Sequence, residues 1–254
     1  MSERNYLVDV YALDVNGKPN WPAVVAAPNF VGGIIKATEG LGYNPPWFAT
    51  NWPAIKSAGG DAYGQTWFRG AYHYLKFNAD GAAQADYYLN AINNAGGFDV
   101  GDIIPIVDVE LGNDGKPDKN GKVHPRDSNW DASAQQMIDC TTAFAERAKS
   151  VTGQQVMLYG GSALRERNIT DRMGCDWLWT ARYDHVLPVS SYQSFGWDVP
   201  QLALWQYCGD GEGYLADAPT SIANFGSPDI SVVTFDTLTE FLNKVCAQVI
   251  TIDK

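Results

Sequence analysis

The chain has 254 residues, 45% of them apolar and 13% aromatic, with a formal net charge of −11. The apolar share is enough for a substantial core and excludes an intrinsically disordered chain, while the length suits one large α/β barrel or two small domains. The acidic balance excludes a phosphate-binding face, which needs clustered Lys and Arg, so no nucleic-acid partner is expected.

In chain order, residues 5–10 read as a first strand with Asp9 near its C-terminal end. Pro22 suits the first turn of a short helix over 22–27. A second strand over 31–37 leads into Thr38, Glu39 and Gly40, and the helical pattern over 47–58 stops at Gly59 and Gly60. The third strand spans 69–75, and the alanine-rich helix over 79–95 ends at Gly96 and Gly97. A fourth strand runs from Ile103 to Glu110, followed by a polar loop over 112–129 long enough to be functional or mobile. The longest amphipathic helix covers 131–151, with Asn129 or Asp131 as its cap. Strands over 156–159, 177–181, 202–207 and 230–233 follow, then a helix over 235–250.

Strand and helix alternate for five rounds before strands follow one another with little helix between. This predicts a parallel sheet covered by helices, closed into a single irregular TIM-type barrel, (β/α)5(β)3, over residues 1–254. No apolar run approaches the roughly 20 residues that span a membrane. The N-terminus has no apolar segment of signal-peptide length, which predicts synthesis in the cytoplasm. Cys140, Cys175, Cys208 and Cys246 are widely spaced with no Cys-x-x-Cys pair, and read as reduced, mostly buried thiols.

The chemistry is concentrated in the fourth strand. Side chains alternate along a strand, so Asp108 and Glu110 point the same way, roughly 7 Å apart at their backbones. Like charges repel, and an apolar setting disfavours charge further, so one of the two pKa values should rise. One carboxyl then donates a proton while the other stays ionised, as glycosidic cleavage requires. The alternative is a solvated strand exit into a polar loop.

In barrels of this kind reactive groups gather at the C-terminal strand ends. Asp9, Glu39, Asp108 and Glu110 fall there, as do Tyr72, His73, Tyr74, Tyr159, Arg182, Trp205 and Gln206. Strand parity decides whether Tyr72 and Tyr74 or His73 face the barrel, and the sequence leaves this open. Trp179 and Trp205 are either core or sugar-stacking surfaces. Lys36 is either a solvated side chain or a partner for an acid at the mouth. Asp229 is the odd case, because it opens its strand instead of closing it.

The stretches Val8-Asp9-Val10, Ile34-Ile35-Lys36-Ala37-Thr38-Glu39-Gly40, Gly70-Ala71-Tyr72-His73-Tyr74, Val107-Asp108-Val109-Glu110, Ala181-Arg182-Tyr183 and Trp205-Gln206-Tyr207 resemble glycoside hydrolase family 25. These are lysozymes (N-acetylmuramidases) that include antimicrobial phage endolysins. The resemblance extends from about residue 5 to about residue 240 and implies an irregular barrel of five β/α units and three further strands. It implies cleavage of the β-1,4 bond between N-acetylmuramic acid and N-acetylglucosamine in peptidoglycan, by a monomer needing no cofactor or metal. It also implies Glu110 as the general acid, Asp108 as the carboxylate beside it, and Asp9 and Asp229 as the other acids of the pit. Double displacement and inversion place the second carboxylate at different distances, and a third route uses the substrate's own acetamido group. An Asp-x-Glu pair approaching from one side suits the third route, with Asp108 orienting the acetamido group.

This sequence departs from the family after Asp9, with Tyr11 and the Asp14-Val15-Asn16-Gly17 turn, and in the length of the 112–129 segment. The chain ends soon after the barrel, so no wall-binding module is expected, and delivery would be by phage lysis or by injection or secretion. Two other readings stand beside this one: a catalytically silent saccharide-binding barrel and a chitinase-like glycosidase. A metal-dependent hydrolase is not expected, since His73, His124 and His185 have no paired spacing.

Overall fold

The computed structural model describes residues 4–11, 19–117, 121–183, 196–209, 211–213 and 215–248. The Asp14–Gly17 turn and His185 lie outside these residues. Strands β1 (Tyr6–Val10), β2 (Phe30–Glu39), β3 (Phe68–Tyr74), β4 (Ile106–Asp108), β5 (Met157–Gly160), β6 (Trp177–Ala181) and β7 (Leu202–Gly209) pair in that order, all parallel. β8 (Glu212–Gly213) pairs only with β7, as a short hairpin outside the ring. β9 (Asp229–Val233) inserts between β7 and β1, antiparallel to both, and closes an eight-stranded barrel.

The ring is parallel except at β9, which runs against both of its neighbours. Because β9 runs against its neighbours, its first residue lies at the end where theirs finish. Asp229 pairs directly with Asp9 across β1 and β9, so its odd place in the chain is its proper place at the mouth.

Helices α1 (Trp21–Ala26), α2 (Phe48–Gly59), α3 (Gly81–Asn94), α4 (Ala134–Thr152) and α5 (Ser162–Glu166) follow the first five strands, and α6 (Leu238–Val245) ends the fold. Asp80 caps α3 by accepting from the Ala83 amide at 2.7 Å. The cap of α4 is Ser133, in a reciprocal capping box with Gln136, and not Asn129 or Asp131. Those two residues belong to a preceding 3-10 turn, Ser128–Asp131. Asn129 is instead turned inward and fully buried. Its Nδ2 donates to the carbonyls of Leu75 (2.7 Å) and Glu110 (3.0 Å), and its Oδ1 accepts from the Phe77 amide (3.0 Å).

The fourth strand is also shorter than 103–110. Ile103 bridges to Cys246 beneath the barrel, and Ile104 donates to the Val245 carbonyl, so the chain enters the ring only at Ile106. The last helix is likewise confined to Leu238–Val245, started by Thr237, whose hydroxyl accepts from the Glu240 amide.

Period-two alternation sorts the core. Leu7, Ile34, Phe68, Ile106, Met157, Leu204 and Val233 fill the barrel interior, with Phe241 of α6 closing its base against Phe68 at 5.2 Å. Val8, Ile35, Ala71, Val107, Leu158 and Trp205 point outward, most of them to the helices. All four cysteines are free and buried. Among the described residues, no helix is long and apolar enough to cross a membrane.

Candidate active site

The alternation that buries Leu7 also points Asp9, two residues further along β1, into the barrel mouth. The same rule brings Lys36, Tyr72, Tyr74, Asp108, Tyr159, Gln206 and Asp229 to the same end, around a pit of about 400 Å³. Tyr74, Asp108 and Tyr159 sit side by side in the β3–β4–β5 register. Parity settles the histidine. His73 faces the helices, with Nδ1 2.7 Å from Thr38 Oγ1 and Nε2 3.1 Å from Gln84 Oε1, and burial lowers its pKa to about 4.

Asp108 is buried, and its Oδ1 has no hydrogen-bond partner. Burial raises its pKa well above the ordinary carboxylate value, and the Glu110 charge adds to the rise. Glu110 lies just past the end of β4, with its side chain at the pit and its carbonyl held by Asn129. Burial raises its pKa to about 6; Lys36 opposes the rise, and Asp229 and Asp127 add to it. Ionised Glu110 thus disfavours ionisation of Asp108.

Asp9 is tied down differently. Gln206 Nε2 donates to both of its carboxylate oxygens, at 3.2 and 3.0 Å. Gln206 Oε1 in turn accepts from the hydroxyls of Tyr159 (2.9 Å) and Tyr183 (2.8 Å). This fixes the orientation of the amide, and through it Asp9.

The opposite wall alternates charge. Lys36 pairs with Glu39 at 2.5 Å, Lys76 bridges Glu39 (3.0 Å) and Asp127 (2.7 Å), and the Tyr74 hydroxyl donates to Asp127 at 3.3 Å. The Lys36 ammonium also lies 4.7 Å from the Tyr74 ring centroid and 5.1 Å from that of Tyr11. Burial pushes the Glu39 carboxyl up, but the two lysines outweigh it and leave its pKa below the ordinary value.

The sequence of the glycosyl hydrolases family 25 matches residues 8–214. The chain belongs to this family. It is 34% identical to the N,O-diacetylmuramidase of Chalaropsis sp over 139 residues, covering 54% of this chain and 57% of that protein. The chain spans about half the length of the curated relatives it matches. The muramidase from Trichobolus zukalii has the same fold, with a TM-score of 0.67 and 21% identity over 95% of this chain and 98% of that one. So does the bacterial lysozyme from Streptomyces coelicolor, with a TM-score of 0.67 and 22% identity over 96% and 98%.

In this family 25 barrel, most of the expected site residues meet at the pit: Asp9, Lys36, Glu39, Tyr72, Tyr74, Asp108, Glu110, Tyr159, Trp179, Gln206 and Asp229. Trp205 does not. It neighbours Gln206 on β7, and adjacent strand residues cannot both face inward. Its indole is buried in the outer core and donates to the Arg182 carbonyl at 2.9 Å. Arg182 lines a separate cleft beside the pit. Trp179 is at the pit but only 1% exposed. It donates to Ser231 Oγ at 2.9 Å and packs edge-on to Tyr159, so it is floor and not a stacking platform.

Residues missed from the sequence come mainly from outside the strands. Gly112, Asn113 and Asp127 reach the pit from the long loop. Gly112 has φ +69, and a Cβ there would lie 2.6 Å from Asp127 Cβ, so the loop's turn requires glycine. Tyr11 also lines the pit and is 41% exposed. Its spacing of two from Asp9 is the signal that could have found it. Tyr11 is thus the family departure that offers an open ring at the mouth.

Proposed function

We propose that this chain is a muramidase that cleaves the β-1,4 bond between N-acetylmuramic acid and N-acetylglucosamine in peptidoglycan. The observation that carries the proposal is the acid pair at the end of β4: Glu110, at the pit with a pKa raised to about 6, and Asp108, a buried carboxyl with one oxygen unpartnered. The names of the Chalaropsis relative and of the two structural neighbours support the same substrate.

Burial and the missing partner favour a neutral Asp108. An acetamido N–H donated to Asp108 Oδ1 supplies that partner and favours the ionised form. The proton then resides on Glu110, which is partly buried at the pit and faces the leaving oxygen. The acetamido oxygen attacks the anomeric carbon as Glu110 protonates the glycosidic oxygen and that bond breaks. Asp108 stabilises the positive charge that develops on the acetamido group. Water then attacks the anomeric carbon and gives a proton to Glu110 as the bond from that carbon to the acetamido oxygen breaks, restoring the acetamido group, and the configuration is retained. Asp9, held by Gln206, and Asp229 stabilise positive charge at the sugar. All these groups come from a single chain, so a monomer is the working unit, and it must reach the wall by lysis, injection or secretion.

The test is mass spectrometry of muropeptides from purified sacculi digested with wild type and with Glu110→Gln. Reducing-end N-acetylmuramic acid from wild type alone is the expected result. Reducing-end N-acetylglucosamine would reassign the bond cleaved, and sacculus binding without products would make the barrel a binding module. Inverted product by NMR would rule out the acetamido route.

A further inference from the structure

An N-acetylated glycan presents an acetamido carbonyl on every sugar, and a carbonyl accepts hydrogen bonds but donates none. The pit is built mostly from acceptors. Asp9, Glu39, Asp108, Glu110, Asp127 and Asp229 line it, and an ionised carboxylate also only accepts. Donors for a sugar carbonyl are therefore scarce, and most of them are committed within the protein. Gln206 Nε2 holds Asp9, Lys36 holds Glu39, and Trp179 Nε1 holds Ser231. The Tyr74 and Tyr159 hydroxyls donate to Asp127 and Gln206. Asn129 directs its Nδ2 to the Leu75 and Glu110 carbonyls.

Asn113 is different. It lines the pit and is exposed, and among the described residues nothing pairs with its side-chain amide. Its backbone, by contrast, is fixed. The Asn113 carbonyl accepts from the Asp127 amide at 2.8 Å. The Asp127 carboxylate in turn accepts from Lys76 at 2.7 Å and from the Asn129 amide at 2.9 Å. The turn at Gly112, closed against the Asp127 side chain, joins this clamp to the end of β4. A fixed backbone carrying an uncommitted amide is a pre-organised binding group, which loses little freedom when it takes a ligand.

The ring places Asn113 relative to the bond that breaks. β9, which carries Asp229, stands four strands from β4 in either direction, and Asp9 pairs with Asp229 from β1. In the reaction proposed above, the attacked sugar lies over these acids and Asp108, with Glu110 at its leaving oxygen. Asn113 follows Glu110 by three residues, on the side of the pit away from Asp9 and Asp229. It therefore meets the sugar that departs and not the one that is attacked.

Resting on the muramidase activity proposed above, we infer that Asn113 is a specificity-determining residue whose side-chain N–H donates to the acetamido carbonyl of the N-acetylglucosamine unit on the leaving side. A glucosamine in that place carries an ammonium instead of the carbonyl, and leaves the amide without its acceptor. The residue thus makes the enzyme read the N-acetylation state of the leaving sugar. Glu110 and Asp108 do not supply this, since one acts on the glycosidic oxygen and the other on the acetamido group of the attacked sugar.

The experiment is a competition within one substrate preparation. Soluble glycan strands are partly deacetylated with a peptidoglycan N-acetylglucosamine deacetylase, so that both kinds of leaving sugar occur together. Wild type, Asn113→Ala and Asn113→Gln each digest this mixture. Mass spectrometry at early times counts new non-reducing ends that carry N-acetylglucosamine or glucosamine. The preference of wild type for the acetylated leaving unit should exceed that of Asn113→Ala by about fivefold, as for one hydrogen bond lost, with Asn113→Gln between them. On fully acetylated strands Asn113→Ala should raise KM about fivefold with kcat within about twofold. Thermal denaturation should be unchanged, because the backbone bond to Asp127 remains. An equal preference in wild type and Asn113→Ala, including cleavage before glucosamine by neither, overturns the contact while leaving the muramidase intact. Wild type that frees no reducing-end N-acetylmuramic acid from any strand removes both.

Discussion

The barrel buries carboxylates at both ends, and treats them in opposite ways. At the base, Asp102 accepts from Arg69 Nε at 2.7 Å, Arg69 Nη2 at 3.0 Å, the Asp99 amide at 2.6 Å and the Tyr63 hydroxyl. Arg69 itself also donates to the Trp52 carbonyl and lies 3.9 Å over the Trp52 ring. At the mouth, Asp108 is equally deep in the protein but has an oxygen with no donor. A buried charge whose lone pairs are all satisfied can hold a fold together. One left unsatisfied is poised to take a partner from a substrate.

The contrast breaks most sharply with Glu110→Gln. Activity on peptidoglycan should fall about 10²–10⁴-fold, the range for loss of a general acid. Stability to urea should be unchanged or higher, since a buried titrating group is removed. A protein that loses stability along with activity would place Glu110 among the structural acids. Arg69→Met should do the reverse at the base, costing about 3–5 kcal/mol by leaving Asp102 buried without its counter-charge. Urea denaturation measures it, and the kcat of the remaining folded protein should be close to wild type.

The pH dependence sharpens the same point. Glu110 has its pKa raised from 4.5 to about 6 in the folded protein, so the native state binds more protons than the unfolded chain between those values. Its contribution to stability is fully present below about pH 4.5 and is lost as pH rises through about 6, on the order of 2 kcal/mol. Denaturation midpoints across this range should lose that component in Glu110→Gln. Asn129→Ala should cost about 1–3 kcal/mol, because the Leu75 and Glu110 carbonyls and the Phe77 amide lose their buried partner. It should also lower kcat more than it changes KM, since Glu110 itself would be displaced. The smallest effect belongs to Tyr183→Phe, which removes one donor to Gln206 and should cost about 1 kcal/mol or less, with a slight loss of activity.

Much of the site was legible in the chain because period-two alternation and the barrel rule act locally. Asp9 and Asp108 follow from their positions near strand ends and Glu110 from its spacing of two from Asp108, whereas Tyr72 and Tyr74 stand open against His73 until the register of β3 is known. Trp205 shows the limit, since it and Gln206 are adjacent and only the direction of β7 decides which faces the mouth. Asn129 was readable as polar and near a helix start, yet its role depends on Leu75, Phe77 and Glu110, which are brought together only by folding.

By itself the sequence determined the α/β alternation, the five helical rounds and the paired acids, because propensity, spacing and side-chain alternation are short-range properties. Only the tertiary structure decided that β9 runs antiparallel, which brings Asp229 beside Asp9 although they are 220 residues apart in the chain. It also decided which buried carboxylates are satisfied: Asp102 meets Arg69 at the base, while Asp108 meets no donor at the mouth. The physical reason is that desolvation and hydrogen-bond partnership depend on everything within a few ångströms of a group, and most of those neighbours are remote in sequence.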